Sequence, residues 1–230
     1  SIAGRIEDAG NGAKIPFALG LIMILEGVVV PIIGSLPEKK TTDVRTLSLA
    51  ALFAALCYIG FSYCKIDIPV GMEKTAFHLG NVFCVLAALF LGGLWGGMAG
   101  AVGMTIADLT TAYVTSAPKT FLLKLCIGLI AGWVAHGIFH LSHDKERKVP
   151  LAVATTISCA AGMGFNIVAD PLVGYVYKMY VLGIPQDAAT LLAKMSAVTT
   201  SVNALIAVIA ASVFYLALRP ALKRGRMLPK

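Results

Sequence analysis

Apolar runs of eighteen or more residues recur along this chain, separated by short charged stretches or by glycine and proline. At ~1.5 Å of rise per residue, each such run is long enough to cross the ~30 Å hydrocarbon core of a bilayer as a helix. Charged residues make up 13% of the chain and hydrophobic ones 58%, whereas a soluble domain carries about 25% charge. No strand-like alternation stands out, so helices rather than a barrel are expected to satisfy the backbone in lipid. The expected class is an all-α integral membrane protein.

In order, the apolar segments fall at residues 15–36, 46–63, 78–91, 98–114, 119–141, 150–170 and 190–218, of which 78–91 is short unless Thr75, Ala76 and Phe77 belong to it. The first is interrupted by Pro16, Glu26 and Pro31, and it exceeds the about 7–15 residues of a secretory apolar core. It reads as an additional N-terminal hydrophobic helix within a 1–42 extension. The six later runs form one membrane domain over 43–225, followed by the end of a basic tail at 226–230. The GGLWGG stretch at 92–97 reads as a tight turn with an interfacial Trp95, and residues 171–183 read as a tyrosine-rich interface segment after a break at Pro171.

Lysine and arginine placement orients the bundle. Lys39, Lys40 and Arg45, then Lys145, Arg147 and Lys148, then Arg219, Lys223, Arg224, Arg226 and Lys230 fall in alternate loops, eleven of the 19 basic residues. The positive-inside rule assigns those loops to the cytoplasm of a prokaryotic plasma membrane, with both termini of the six-helix core inside. Because the basic residues sit beside span ends and not on one soluble face, the net charge of +7 gives no reason to expect nucleic acid as a partner.

With that orientation, the polar stretch GMEKTAFHLGN at 71–81 lies on the outer side. Glu73, His78 and Asn81 share that side with Asp108, Lys124, Asn166, Asp170, Tyr177 and Asn203 from other spans. Uncompensated charge at mid-membrane costs at least ~2.5 kcal/mol per group, so these residues are expected to pair with one another or with a ligand. His78 and Asn81, three apart, suit either helix capping or hydrogen bonds to a polar heterocycle. Asn166 and Asp170, four apart, either cap the break before Pro171 or contact a ligand. Asp108 is the expected partner of Lys124, Lys119 is expected to snorkel to the interface, and Thr199 and Thr200 suit interhelical hydrogen bonds. The inner halves of the spans carry almost no charge at mid-depth, so an outward-facing cup with a closed floor is expected, not a channel.

No catalytic motif is present: the chain lacks HExxH, GxSxG and a phosphate-binding loop. Five scattered cysteines show neither CxxC nor metal-ligand spacing. No enzyme activity, cofactor or metal is expected. Any active transport must therefore draw its energy from another subunit or from an ion gradient. Within the first core span, Ala50/Ala54 and Ala51/Ala55 form two overlapping small-xxx-small pairs, which allow close helix approach.

FHLGNVFCVLAALFLGGLWGGMAGAVGMTIADL followed by APKTFLLKLCIGLIAG resembles the substrate-binding S components of energy-coupling factor (ECF) vitamin transporters, in the riboflavin-type or hydroxymethylpyrimidine/pyridoxine-type branch. The resemblance implies a six-helix S-component bundle that captures a vitamin-like molecule on the outer side, with residues 71–76 as a movable lid. It also implies docking to a transmembrane coupling subunit that carries two ATPases, through Ala50/Ala54 or Ala51/Ala55. The N-terminal helix falls outside it. A pyridoxine-type or hydroxymethylpyrimidine-type ligand is expected, since few tryptophans or deep aromatic residues are in view to hold a flavin. The alternatives are a stand-alone ion-coupled carrier or facilitator of a small polar solute, and a structural or assembly subunit.

Overall fold

The computed structural model describes residues 43–70, 73–142 and 146–225. The expected N-terminal helix at 15–36, the linker to residue 42, Gly71 and Met72 in the polar stretch, and the tail at 226–230 lie outside the described residues. Six helices form the domain: α1 (Val44–Ser62), α2 (Gly80–Leu91), α3 (Gly93–Thr110), α4 (Ala117–Trp133), α5 (Leu151–Tyr180) and α6 (Gln186–Arg224). A 3₁₀ turn at Val114–Ser116 leads into α4, and a π-helical turn at Val134–Ile138 ends it. Val44–Ser62, Val114–Ile138, Leu151–Tyr180 and Gln186–Arg224 are each long and apolar enough to cross a membrane. The chain is a multi-pass membrane protein.

The short helix is the centre of the bundle. Its 12 residues reach only ~18 Å, less than the bilayer core. All of them except Phe83 are buried, and α2 packs against α1, α3, α4, α5 and α6. A helix that is apolar on every side suits such a position, because its surroundings are protein on every side. The outer helices carry exposed Leu52, Ile59, Val168, Leu172, Leu205 and Ile209, side chains that fit a lipid-facing surface.

Glycines permit the close packing. Gly93 and Gly97 on α3 face Gly128 and Gly132 on α4, and a Cβ at Gly128 or Gly132 would overlap the backbone of Gly97 or Gly93. Elsewhere on α3, Gly96 lies against the Ala88 backbone of α2, and Gly103 against the Ala54 carbonyl of α1. In lipid, where apolar burial does not drive helices together, such approaches provide the packing that holds them. The GGLWGG stretch is therefore mostly helix. Only Gly92 turns, at φ +84°, and it joins α2 directly to α3.

Three further expectations are corrected. The helix α5 does not break at Pro171 but continues to Tyr180. A proline removes one backbone donor, a loss that membrane helices tolerate when neighbours supply compensating contacts. Asn166 and Asp170 therefore cap nothing. Residues 65–78 form an antiparallel hairpin, β1 (Lys65–Val70) and β2 (Glu73–His78), with Lys65 opposite His78 and Val70 opposite Glu73. KIDIPV does alternate polar and apolar residues, the period of a strand, so the helical bundle carries a small β cap. Thr75, Ala76 and Phe77 belong to this strand and do not lengthen α2.

Substitutions at the seam should separate packing from helix propensity. Gly132→Ala is expected to cost at least the upper end of the ~1–3 kcal/mol typical of overpacking. Gly164→Ala, with nothing within 4 Å of the added methyl, should be neutral or stabilising by up to about 1 kcal/mol. Thermal unfolding in detergent measures both.

Candidate functional site

One cavity opens under the hairpin, with about 700 Å³ of empty space including its mouth. Its lining mixes two kinds of chemistry. Phe61 from the end of α1, Met104 from α3 and Tyr113 from the loop before α4 supply apolar and aromatic surface. The Phe61 ring contacts His78 at 4.7 Å and Tyr113 at 5.5 Å between centroids, both edge to face. Lys119, Lys124, Asn166, Asp170, Ser196 and Thr200 line it from α4, α5 and α6.

Asp170 organises the polar part of the lining. Its Oδ1 accepts from Lys119 Nζ at 2.7 Å, and its Oδ2 accepts from the hydroxyls of Ser196 (2.5 Å) and Thr200 (3.0 Å). One carboxylate thus joins α4, α5 and α6, with charge-assisted bonds in a mostly buried setting. The expected Asp108–Lys124 pair is not among the ion pairs of the described residues; Lys119 is bound to Asp170 instead of snorkelling freely. Lys124 is buried yet belongs to neither the Lys65–Asp67 nor the Lys119–Asp170 pair. Sequence position gives depth along a helix but not the direction a side chain takes around it, which is why the pairing by depth failed.

Hydrogen bonds hold both strands of the hairpin over the cavity. Asn203 on α6 donates from Nδ2 to the Ala76 carbonyl (2.9 Å) and accepts from the His78 backbone N–H at Oδ1 (3.0 Å). Asn203 was expected as a ligand contact; although it lines the cavity, both ends of its amide are engaged by β2. Thr199 bonds the Thr75 hydroxyl at 2.8 Å, which ties α6 to the strand β2 and not to another helix, whereas Thr200 makes the helix-to-helix bond, to Asp170. On β1, Asp67 accepts from the Tyr113 hydroxyl (2.9 Å) and Lys65 lies 4.8 Å above the Tyr113 ring. Burial, the Asp67 bond and the Asp67 charge push the Tyr113 phenol up, so it stays a donor. Burial, reinforced by the Lys124 charge, lowers the His78 pKa to about 3, so its ring is neutral.

Of the remaining residues read from the sequence, Asn81, Asp108, Lys124, Asn166 and Asp170 converge on the cavity with His78. Tyr177 does not line it; its hydroxyl donates to the Thr115 carbonyl. Glu73 opens β2 opposite Val70. Phe61, Tyr113, Lys119 and Ser196 were not anticipated, although the polar APKTF start of α4 had drawn attention to Lys119. The two alanine pairs also separate: Ala50 is buried and Ala54 packs against Gly103, whereas Ala51 and Ala55 are exposed.

The carboxylate junction makes a stability prediction. Asp170→Asn keeps acceptor capacity for Ser196 and Thr200 but leaves buried ammonium groups uncompensated, and should cost about 3–5 kcal/mol. Adding Lys119→Met should restore part of that loss. Thermal unfolding of both variants in detergent measures it.

Comparison with known proteins places this geometry in context. Over 72 residues, 31% of this chain, the sequence is 33% identical to an "Uncharacterized protein in gap 3'region" of Pyrococcus woesei, and the match spans 48% of that relative's length. No solved structure matches the chain. The family model described as "ECF-type riboflavin transporter, S component" matches residues 41–220. With the match covering the whole six-helix bundle, the protein belongs to the family of ECF-type riboflavin transporter S components.

Proposed function

We propose that this protein captures riboflavin, or a close flavin relative, on the outer side of the membrane and passes it inward through an ECF-type importer. The observation that carries the reading is the mixed lining of the cavity. Phe61 and Tyr113 line it together with polar groups that include the Asp170 junction, in a chain of the riboflavin S-component family. A flavin likewise joins a flat tricyclic ring to a hydroxylated chain. Pyridoxine-type and hydroxymethylpyrimidine-type ligands, the expectation from sequence, lose one of their two supports. That expectation rested on the mixed Asp, Lys, His and Asn groups with nearby tyrosines and on a scarcity of deep aromatic residues, and the second ground is gone, since Phe61 and Tyr113 line the cavity.

In this account the hairpin is the lid. Entry and release require loss of the Asn203 and Thr199 bonds to β2, together with the Tyr113–Asp67 bond on β1. Transport energy comes from a coupling subunit and two ATPases, the association that membership of the family implies. The exposed Ala51/Ala55 pair is the better docking stripe, because Ala50 and Ala54 are occupied inside the bundle. The charge pattern supports cytoplasmic termini for the core.

Two experiments test this. Titration of the purified protein with riboflavin should quench flavin fluorescence at one site per chain. Stabilisation by pyridoxine or hydroxymethylpyrimidine without any riboflavin response would overturn the assignment. For docking, Ala55→Trp should abolish co-purification with the coupling module and leave riboflavin affinity within about twofold, as expected for a site with no shared partners. Riboflavin uptake into liposomes by this chain alone would instead favour a stand-alone carrier.

A further inference from the structure

The end of the bundle away from the hairpin carries a basic surface built from two elements. Arg219 lies ~24 Å further along α6 than Asn203, which holds the hairpin. Its Nη2 donates to the Leu141 carbonyl at 2.9 Å, which ties the end of α6 to the loop that leads into α5. Leu222 on α6 and Val149 in that loop pack against the same apolar core. Lys223 and Arg224, in the last turn of α6, are thereby brought to the side of the bundle that holds Arg147 and Lys148. Lys148, Lys223 and Arg224 are exposed, and among the described residues of this loop and helix end the accompanying acidic group is Glu146.

The exposed face of α6 sets the depth of this surface. Ile206, Ile209 and Val213 are exposed at helical spacing, and the same stripe runs on through Ala217 and Pro220 to Arg224. An apolar stripe of this kind faces acyl chains, so Arg224 stands where that surface ends, at headgroup level. Lys223 follows Arg219 by four residues, which puts it on the face turned to the loop. Lys148 and Arg224 belong to neither ion pair of the described residues.

We propose that Lys148, Lys223 and Arg224 bind the phosphate headgroup of an anionic phospholipid whose acyl chains lie along the exposed stripe of α6. Clusters of basic residues beside the end of a membrane helix attract anionic lipids in this way. The helix dipole accounts for Lys223 and Arg224, which complement a C-terminus, but not for Lys148, which precedes the N-terminus of α5, where a cation is disfavoured. A soluble anion would use the charges alone, whereas a lipid uses the charges and the apolar stripe that runs into them.

Thermal unfolding of the purified full chain in an uncharged detergent tests the site, with phosphatidylglycerol, phosphatidylcholine or glycerol phosphate added. Phosphatidylglycerol should raise the unfolding temperature above that in phosphatidylcholine, and glycerol phosphate at the same concentration should not. Combining Lys148→Gln, Lys223→Gln and Arg224→Gln should move the phosphatidylglycerol response to at least about tenfold higher concentration, since each basic group near an anionic surface strengthens attachment severalfold. The same variant should match the wild type in phosphatidylcholine. Should it not fold, salt decides: about 1 M salt should remove most of the wild-type phosphatidylglycerol response, and a salt-insensitive response would overturn the site. Equal unfolding temperatures in the two lipids, an equal effect of glycerol phosphate, or a full response in the triple variant would each overturn it. A variant destabilised alike in both lipids would also do so, by making these charges helix-end and packing groups. Loss of co-purification with the coupling module while the lipid response stays intact would assign the surface to an acidic protein instead.

Discussion

The Asp170 carboxylate is the interaction on which the outer half of this protein depends. It sits on a helix that continues through a proline, and it accepts from Lys119, Ser196 and Thr200 on the two neighbouring helices. In a medium without water such a junction has no substitute, since each partner left alone would be a buried unpaired group. Asp170 pairs with Lys119, and among the described residues Lys124 belongs to neither ion pair. The hairpin then closes over a cavity whose polar lining is already fixed.

Beneath that junction, close approach of backbones does the corresponding work for the inner half. The helix α2 is too short to span a bilayer and is shielded on every side. It can be central only because α3 and α4 come within glycine distance of each other and of it. The result is a closely packed body beneath the cavity. This division suits a capture subunit: the hairpin and the adjoining helix ends line the cavity, and close backbone contacts hold the helices below it.

Much of this was legible in the chain, and the failures share a cause. The six helices, the convergence of Asn81, Asp108, Lys124, Asn166 and Asp170 on one cavity, and the family follow from apolar length, charge placement and local motifs. The pairing of those residues does not, because position along a helix specifies depth and leaves the azimuth open; Lys119 took the place expected of Lys124. The aromatic lining was missed because Phe61 and Tyr113 lie more than fifty residues apart, one ending a helix and one in a loop. The hairpin was legible in the alternation of KIDIPV, yet its period was overlooked between two long apolar runs. In the same way, Gly93/Gly97 and Gly128/Gly132 have the spacing of a packing seam, but the first pair was read as a turn.

The central claim is that the cavity under the hairpin is a flavin site. Native mass spectrometry of the protein released gently from membranes of cells grown with riboflavin tests it most directly. The account predicts a bound species at the mass of riboflavin, lost on collisional activation and absent when Asp170→Asn disrupts the outer junction. A co-purified pyridine or pyrimidine vitamin, in cells where riboflavin is abundant, would contradict it.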